Sequence, residues 1–348
     1  MLNAKCQMYQ VLVCGVFVLV ATGFCGCAAS CDCPEDAAGS NETAAACDCA
    51  AAKEESEAAT TCDCAKVAEA EGIIAAGAEL VAVSSAFRFT EGPAADAAGN
   101  VYFTDQPNDQ IMIYTVDGEL KQFMQPAGRS NGMYFDTDGT LIACADNKNE
   151  LWRINVETKE HVVLTQRYEG GLFNGPNDAW VHPQKRWIYF TDPMYRRQWW
   201  DRSPASELSS EGAYRINHDG TGLVRVIDDL VKPNGIIGTP DGKTLYVADI
   251  DGRKTWAYTI GPDGTLTDKR LFCEAGSDGM TLDCCGNVYL TGGNGVMVFN
   301  PDGEQIEQIR VPQGWTANAT FGGKDRKTLF ITASRAVYTL QMNVCGAQ

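Results

Sequence analysis

The sequence predicts an all-β protein in which residues 73–348 form a six-bladed β-propeller. Two observations support this prediction. From about Ala78 onward, short stretches of alternating apolar and polar residues are separated by turn signals, and almost no stretch has helical periodicity. In addition, one strand pattern recurs six times along the chain at nearly constant spacing, which is typical of a fold built from repeated units.

The first 27 residues have the layout of a secretory signal peptide. Lys5 precedes an apolar or small-residue run at 11–24, and small residues and cysteines follow it. Cys27, preceded by a glycine, resembles the acylated cysteine of a bacterial lipoprotein, with Cys25 as the less favoured position. An uncleaved membrane anchor is the alternative. We therefore expect an exported protein of the periplasm or cell envelope, with a lipid anchor at Cys27.

Residues 28–72 are predicted to be a disordered spacer. Eleven acidic residues and two lysines give this segment a charge of −9, and it contains no aromatic residue and few large aliphatic ones. It carries three Cys-Asp-Cys repeats, at 31–33, 47–49 and 62–64. These could form disulfides or bind soft metal ions, and disulfides are favoured because no regular zinc-ligand spacing accompanies them.

The repeated pattern is a polar turn containing Gly or Lys followed by an apolar strand. The six strands end at Asp105, Asp146, Asp192, Asp249, Gly292 and Ala333. Successive ends are 41, 46, 57, 43 and 41 residues apart, a period that fits several short strands per unit. The six units predict six blades of one propeller rather than two separate domains.

A second regularity places one polar residue 14 or 15 positions before each strand end. These ring residues are Glu91, Asn131, Asn177, Asn234, Asp278 and Asn318. Equivalent positions of the blades are related by rotation about the central axis, so the six side chains should surround the mouth of the channel. Any one of them could be a simple turn residue. Six in register, two of them carboxylates, instead predict a site for a hard divalent cation, for which calcium fits best, magnesium or manganese are alternatives, and zinc is less natural.

The motifs around these positions resemble the gluconolactonase family that includes senescence marker protein 30 (regucalcin). The resemblance covers about Ala86 to Leu340 and includes EGPAADAAGNVYFTD, KPNGIIGTPDGKTLYVAD and SDGMTLDCCGNVYLTG. It implies a six-bladed propeller with a divalent metal in its channel and hydrolysis of sugar lactones. By position, it implies metal ligation by Glu91, Asn177, Asn234 and Asp278, with Asp278 also the general base. Gly175 stands where some members have a substrate-binding arginine.

Several further residues are candidate substrate contacts. The longest repeat owes its extra length to residues 193–211, an aromatic and basic segment that contains Tyr195. This loop could cover the channel or simply pack between blades. Arg129, Asn131, Asn177 and Tyr195 are predicted to bind substrate. The three histidines are expected in outer strands or turns and not in the ring.

The composition excludes other classes of protein. Lys and Arg number 28 against 45 Asp and Glu, a net charge of −17, and no basic run could neutralise a phosphate backbone. Past residue 24 no apolar run is long enough to span a bilayer. The prediction is a monomeric, metal-dependent lactone hydrolase. A non-enzymatic propeller that binds a protein or glycan, and a metal-dependent phosphotriesterase, are the alternatives.

Overall fold

The computed structural model describes residues 71–202 and 205–347, which fold into six four-stranded antiparallel sheets arranged as the blades of a propeller. The predicted signal segment and almost all of the predicted spacer lie outside the described residues. Within the described part of the chain, no helix is long and apolar enough to cross a membrane.

Successive blades follow one another along the chain, and only the last draws on both ends of the propeller. The first strand, β1 (Val81–Ser84), belongs to blade 6. Blade 1 contains β2 (Thr90–Ala95), β3 (Val101–Asp105), β4 (Gln110–Tyr114) and β5 (Leu120–Met124), with a 3₁₀ helix at Gln106–Asn108. Blade 2 contains β6 (Ser130–Phe135), β7 (Leu141–Ala145), β8 (Glu150–Ile154) and β9 (His161–Thr165).

A short hairpin of β10 (Arg167–Tyr168) and β11 (Gly171–Leu172) separates blades 2 and 3. Blade 3 contains β12 (Ala179–Val181), β13 (Ile188–Asp192), β14 (Gly212–Ile216) and β15 (Val224–Ile227). Blade 4 contains β16 (Pro233–Gly238), β17 (Thr244–Asp249), β18 (Lys254–Ile260) and β19 (Leu266–Cys273). Blade 5 contains β20 (Met280–Leu282), β21 (Val288–Gly292), β22 (Gly295–Phe299) and β23 (Gln305–Ile309). Blade 6 contains β24 (Asn318–Gly322), β25 (Thr328–Ala333) and β26 (Ala336–Gln341) together with β1.

The propeller is closed by strand β1, which pairs with β26 so that Val81 lies opposite Thr339. Ile73 is buried just before this strand, and Ile74 forms an isolated bridge with Met342. One sheet therefore contains both ends of the folded chain, and this pairing joins the last blade to the first part of the domain.

The six predicted strands are the second strands of the six blades, and the prediction of a six-bladed, all-β propeller is confirmed. These strands are almost wholly buried because each blade packs against both of its neighbours. Phe103 in blade 1, for example, has its ring centre 5.4 Å from that of Phe330 in blade 6. Apolar contacts of this kind between blades form the core.

The first strand of each blade lies nearest the axis, where it contacts the first strands of the adjacent blades. In blades 1, 2 and 4 this strand has a register shift that begins at its ring residue or one residue before it, between Glu91 and Ala94 in the first case. An irregularity of this type interrupts the ladder and redirects side chains. It occurs here at the end of the channel where the ring residues lie.

Candidate active site

The predicted ring residues all lie within two residues of the start of an inner strand. Glu91, Asn131 and Asn234 are the second residues of β2, β6 and β16, and Asn318 is the first residue of β24. Asn177 and Asp278 each precede their strand by two residues. The structure therefore places all six at the same end of the channel.

Glycines next to the ring residues allow the inner strands to approach one another. A Cβ atom on Gly92 would lie 2.0 Å from the carbonyl oxygen of Asn131. One on Gly279 would lie 1.9 Å from the side chain of Asn318. Neither approach is possible for any residue with a side chain. The recurring glycine after the ring residue is therefore a packing requirement of the channel mouth.

In blade 3 the corresponding position is occupied by Asp178, a buried residue that the sequence analysis missed. Its two carboxylate oxygens accept hydrogen bonds from Nδ2 of Asn318 at 3.2 and 3.1 Å, across the channel from blade 6. The same Nδ2 donates to Oε2 of Glu91 at 3.3 Å. The signal was present in the sequence, because the residue after the ring position is glycine in four repeats and aspartate in this one.

Three carboxyl groups thus share the channel mouth, and their environment raises their pKa values. Burial, then the charges of Asp278 and Asp178, raises the pKa of Glu91 well above its usual range. Burial, followed by the charge of Asp278, does the same for Asp178. Burial raises the pKa of Asp278 to about 6, although hydrogen bonds from Trp315 and Asn234 and the charge of Arg197 oppose the shift. Without a cation, ionising all three groups is unfavourable.

Asp278 is held by hydrogen bonds to both carboxylate oxygens. Nε1 of Trp315 donates to Oδ2, and Nδ2 of Asn234 donates to Oδ1 at 2.8 Å. The amide oxygens of Asn234 and Asn131 are buried and have no hydrogen-bond partner. Buried acceptors without a donor are costly, and at the mouth of a channel they are expected to face a ligand or a cation.

The oxygen atoms at the channel mouth fit a hard cation better than a transition metal. Among residues 71–202 and 205–347, no group of three or more His, Cys, Asp or Glu side chains is arranged to hold a metal ion. A cation would therefore need the asparagine amide oxygens as well as the carboxylates. Mixed carboxylate and amide oxygen ligands are typical of calcium. Asn318 differs from Asn234 and Asn131, because its Nδ2 donates to the carboxylates and its amide oxygen accepts from the backbone nitrogen of Ala319 at 2.8 Å.

The loop of residues 193–211 connects β13 to β14 and contacts the channel mouth. The hydroxyl of Tyr195 accepts a hydrogen bond from Nδ2 of Asn234 at 2.9 Å. Nε1 of Trp200 donates to the backbone oxygen of Asp146 in blade 2 at 3.0 Å. The described part of this loop therefore covers the channel mouth rather than packing only on the rim.

Arg129 interacts with this loop instead of with the ring residues. Its guanidinium lies 4.8 Å from the ring centre of Trp199 and donates to the backbone oxygen of Pro107 at 2.7 Å. Arg197, in the loop, donates through Nε to Oδ2 of Asp146 at 2.7 Å. Arg129 therefore lies against the loop, and Arg197 is near enough to Asp278 for its charge to lower the pKa of that carboxyl group.

Gly175, where the resemblance led us to consider an arginine, has no room for a side chain. Its φ is +149°, and a Cβ atom there would lie 2.7 Å from Oδ1 of Asp146 and 3.3 Å from the ring of Trp200. Asp146 and the loop tryptophan occupy the space into which a side chain at 175 would extend.

The histidines are away from the ring, as expected from the sequence. His161 lies in the outer strand β9, stacked on Trp152. His182 follows β12 and accepts backbone hydrogen bonds through Nδ1, and burial lowers its pKa. His218 lies in the turn after β14. None is placed to act on a group bound at the ring.

Residues 89–335 match the SMP-30/gluconolactonase/LRE-like region. A gluconolactonase from Zymomonas mobilis is 29% identical over 292 residues, which cover 76% of this chain and 81% of the relative. Two solved structures cover similar parts. An X-ray structure of a protein assigned as a gluconolactonase has a TM-score of 0.74 at 30% identity, covering 79% of this chain and 96% of that one. The gluconolactonase XC5397 from Xanthomonas campestris has a TM-score of 0.70 at 29% identity, covering 76% and 89%.

A more distant structure, the calcium-binding regucalcin of Agrobacterium tumefaciens, shares the fold. Its TM-score is 0.64 at 18% identity, and the match covers 77% of this chain and 95% of that chain. Residues 89–335, which match the family region named above, include every ring residue and the loop of residues 193–211.

Proposed function

The chain belongs to the SMP-30/gluconolactonase/LRE-like family, and from this premise we propose that it hydrolyses sugar lactones at the ring end of its propeller channel. The observation that carries the proposal is the convergence of Glu91, Asp178 and Asp278, three acids with raised pKa values, on one small volume. Such a cluster in a cleft is typical of a site that binds a cation and performs chemistry. The gluconolactonases among its relatives support lactones as the substrate class.

The proposed cofactor is one divalent cation, with calcium as the best fit. Glu91, Asn177, Asn234 and Asp278 would hold it, and Asp178 would add a nearby negative charge. The unpartnered amide oxygen of Asn234 supports this assignment, because a cation would supply the interaction that this buried acceptor lacks. When bound, such a cation polarises an ester carbonyl and stabilises negative charge on its oxygen.

Asp278 is proposed as the general base. A group with a pKa of about 6 is ionised near neutral pH and is still basic enough to accept a proton from water during attack on the lactone carbonyl. Trp315 and Asn234 fix the orientation of its carboxylate through one hydrogen bond to each oxygen. In a water-poor site, a base held in this way needs little reorganisation before the proton moves.

Substrate hydroxyl groups are proposed to meet Asn131, Asn177 and Tyr195, with Arg129 supporting the loop. Arg197 is the best candidate for a cationic contact, because its charge acts on Asp278 from the loop. We expect Arg197→Gln to raise KM several-fold, with a smaller effect on kcat, since it removes a binding contact and not the base. Steady-state kinetics on one lactone would measure both constants.

The test of the function is turnover of five- and six-carbon aldonolactones and of aryl phosphotriesters, with and without a chelator. Lactone hydrolysis that stops on chelation and returns with calcium is the expected result. Asp302→Asn, which removes an exposed carboxylate in a blade 5 turn, is the matched control and should leave turnover unchanged. Hydrolysis of phosphotriesters alone would favour the phosphotriesterase. Failure on every ester at all metals tested would favour a binding propeller.

We also propose that the protein is exported and is lipid-anchored through Cys27. The support is the residue pattern at 5–27, which lies outside the described residues. Mass spectrometry of the mature amino terminus tests it, because an acylated Cys27 would be its first residue. An intact Met1 or an unmodified terminus would overturn the proposal.

A further inference from the structure

The propeller has a cavity at the end of the channel opposite the ring residues. Its volume is about 560 Å³, within the range of small-molecule sites. It is lined by the last residues of five inner strands: Ala95, Phe135, Val181, Gly238 and Leu282. The ring residues lie at or before the first residues of the same strands, so the length of each strand separates the two sites.

The wall of this cavity is mainly apolar and is closely packed. Trp180, which is 1% exposed, forms part of it together with Tyr134 and Ile237. A Cβ atom on Gly238 would lie 2.3 Å from the Trp180 ring, so the glycine is needed for the indole to lie where it does. The hydrophobic surface is therefore held rigidly and is formed before any ligand arrives.

One cation lines the cavity with part of its hydrogen-bonding capacity unused. Nη2 of Arg326 donates to the backbone oxygen of Asp96 at 2.6 Å, while Nη1 is buried and has no hydrogen-bond partner. Arg326 has a φ of +58°, a left-handed conformation that is uncommon for a residue with a side chain. A buried guanidinium nitrogen without an acceptor is unfavourable. Arg326 as a whole is only partly buried, so a rotation of its side chain would bring this nitrogen to an anionic ligand in the cavity.

The carboxylates that line the same cavity are already satisfied. Asp136 receives hydrogen bonds from both Nε and Nη2 of Arg186. Asp96 accepts from the backbone nitrogens of Ala98 and Asn100 and from the Asn100 side chain. Arg326 therefore presents the charge that a ligand in this cavity could still pair with.

The two ends of the channel are separated by packed side chains. A void of about 20 Å³, roughly the space of one water molecule, lies between them. It is lined by Asp178 and Asn318 from the acidic cluster and by Tyr134 and Ile237 from the cavity wall. A ligand in the cavity would not reach the ring residues, so this site is distinct from the proposed lactonase site.

We propose that this cavity binds a small amphiphilic carboxylate. The apolar part of the ligand lies against the partly exposed residues Tyr134 and Phe135, and its carboxylate pairs with Arg326. Arginine and carboxylate match in charge and in geometry, and the apolar wall contributes affinity in proportion to the surface it covers. The inference does not depend on the proposed lactonase activity.

The experiment is isothermal titration calorimetry of the full chain with decanoate, with decanol and decyltrimethylammonium as neutral and cationic probes of the same tail. We expect one saturable site that prefers decanoate. Arg326→Gln should weaken decanoate binding by about 10- to 100-fold and change decanol binding little, because it removes the charged partner of the carboxylate and leaves the apolar wall in place. Lys324→Gln is the matched control, since it removes an exposed cation two residues away.

Val156→Trp is a second variant, at a partly buried turn position on the cavity wall. The added indole should fill the space and abolish binding of both decanoate and decanol. Absence of saturable decanoate binding, or equal binding by Arg326→Gln and wild type, would each overturn the proposal. The first result would mean that the cavity is empty or is filled by another part of the chain.

Discussion

Replacing Asp178 by asparagine tests the electrostatics of the channel mouth directly. The carboxylates of Asp178 and Glu91 both accept from Nδ2 of Asn318, at 3.1 and 3.3 Å for the nearer oxygens. Those oxygens are therefore no more than about 6.4 Å apart. An asparagine at 178 keeps an acceptor for Asn318 and removes one negative charge.

The size of the effect follows from that separation. Two unit charges about 6.4 Å apart repel by about 2.5 kcal/mol at an effective dielectric constant of about 20. Asp178→Asn should therefore raise the free energy of unfolding of the metal-free protein by roughly 1–2.5 kcal/mol at neutral pH, since the amide is a weaker acceptor than the carboxylate. For a domain of this size, the melting temperature should rise by roughly 2–4 °C. Calcium affinity should fall by about 10-fold or more, because the same charge attracts the cation.

Thermal melts of the chelator-treated and calcium-loaded proteins measure both effects. Asp302→Asn serves again as the isosteric control at an exposed position and should change neither melt by more than about 0.5 kcal/mol. Without metal, Asp178→Asn should have a higher melting temperature than wild type. Calcium should raise the melting temperature of the variant by less than it raises that of wild type.

The pH dependence has a defined sign. Burial and neighbouring charges raise the pKa of Glu91 and of Asp178 above the ordinary carboxyl values, so the folded protein binds more protons than the unfolded chain. The stability of the metal-free protein should then fall as pH rises above about 4. Over the same pH range, Asp178→Asn should become more stable than wild type. At pH 4 and below, the two proteins should melt alike. A metal-free variant that melts at or below wild type near neutral pH would refute the argument.

Three further predictions concern the ligands, the base and the amino-terminal segment. Glu91→Gln should weaken calcium binding by at least about 10-fold in a calcium titration, and affinity in the wild type should fall as pH drops below about 6, where Asp278 takes up a proton. Asp278→Asn should lower lactone turnover by roughly 100-fold or more at saturating metal, whereas Asn131→Ala should mainly raise KM; equal turnover by Asp278→Asn and wild type would remove the base assignment. Deleting residues 1–72 should leave a cooperative melt close to that of the longer chain, whereas deleting 1–84 should destabilise the fold, because it removes the strand that completes blade 6.

The fold could be predicted because its signal is repeated. Each second strand is buried on both faces and is followed by a turn, so the same short pattern occurs in every blade. The pairing of β1 with β26 could not be predicted from that pattern. It depends on a strand outside the six repeats and on contacts between residues that are distant in sequence.

The positions of the six ring residues could be predicted from the repeats, but their hydrogen-bond partners could not. Counting back along the repeats located the six ring residues, but it did not show that Asn318 donates hydrogen bonds to two acids. Asp178 was missed because the count selects one position per blade, and this acid follows it. The glycine that follows the ring residue in four repeats is replaced by Asp178 in blade 3. This replacement is a more informative signal than the count, because it marks where a side chain enters the channel.

Gly175 and Arg197 show that comparison by sequence position can miss a residue that reaches the same place from another part of the chain. Asp146 and Trp200 occupy the space next to Gly175, and Arg197 bonds to the same Asp146 from a loop that has no counterpart in the other repeats. A glycine in place of an arginine at 175 would suggest that the mouth of the channel has no positively charged side chain. The structure shows instead that a guanidinium reaches this region from about 20 residues further along the chain. A ligand contact is defined by its place in space, and where loop lengths differ it can be supplied by a different part of the chain.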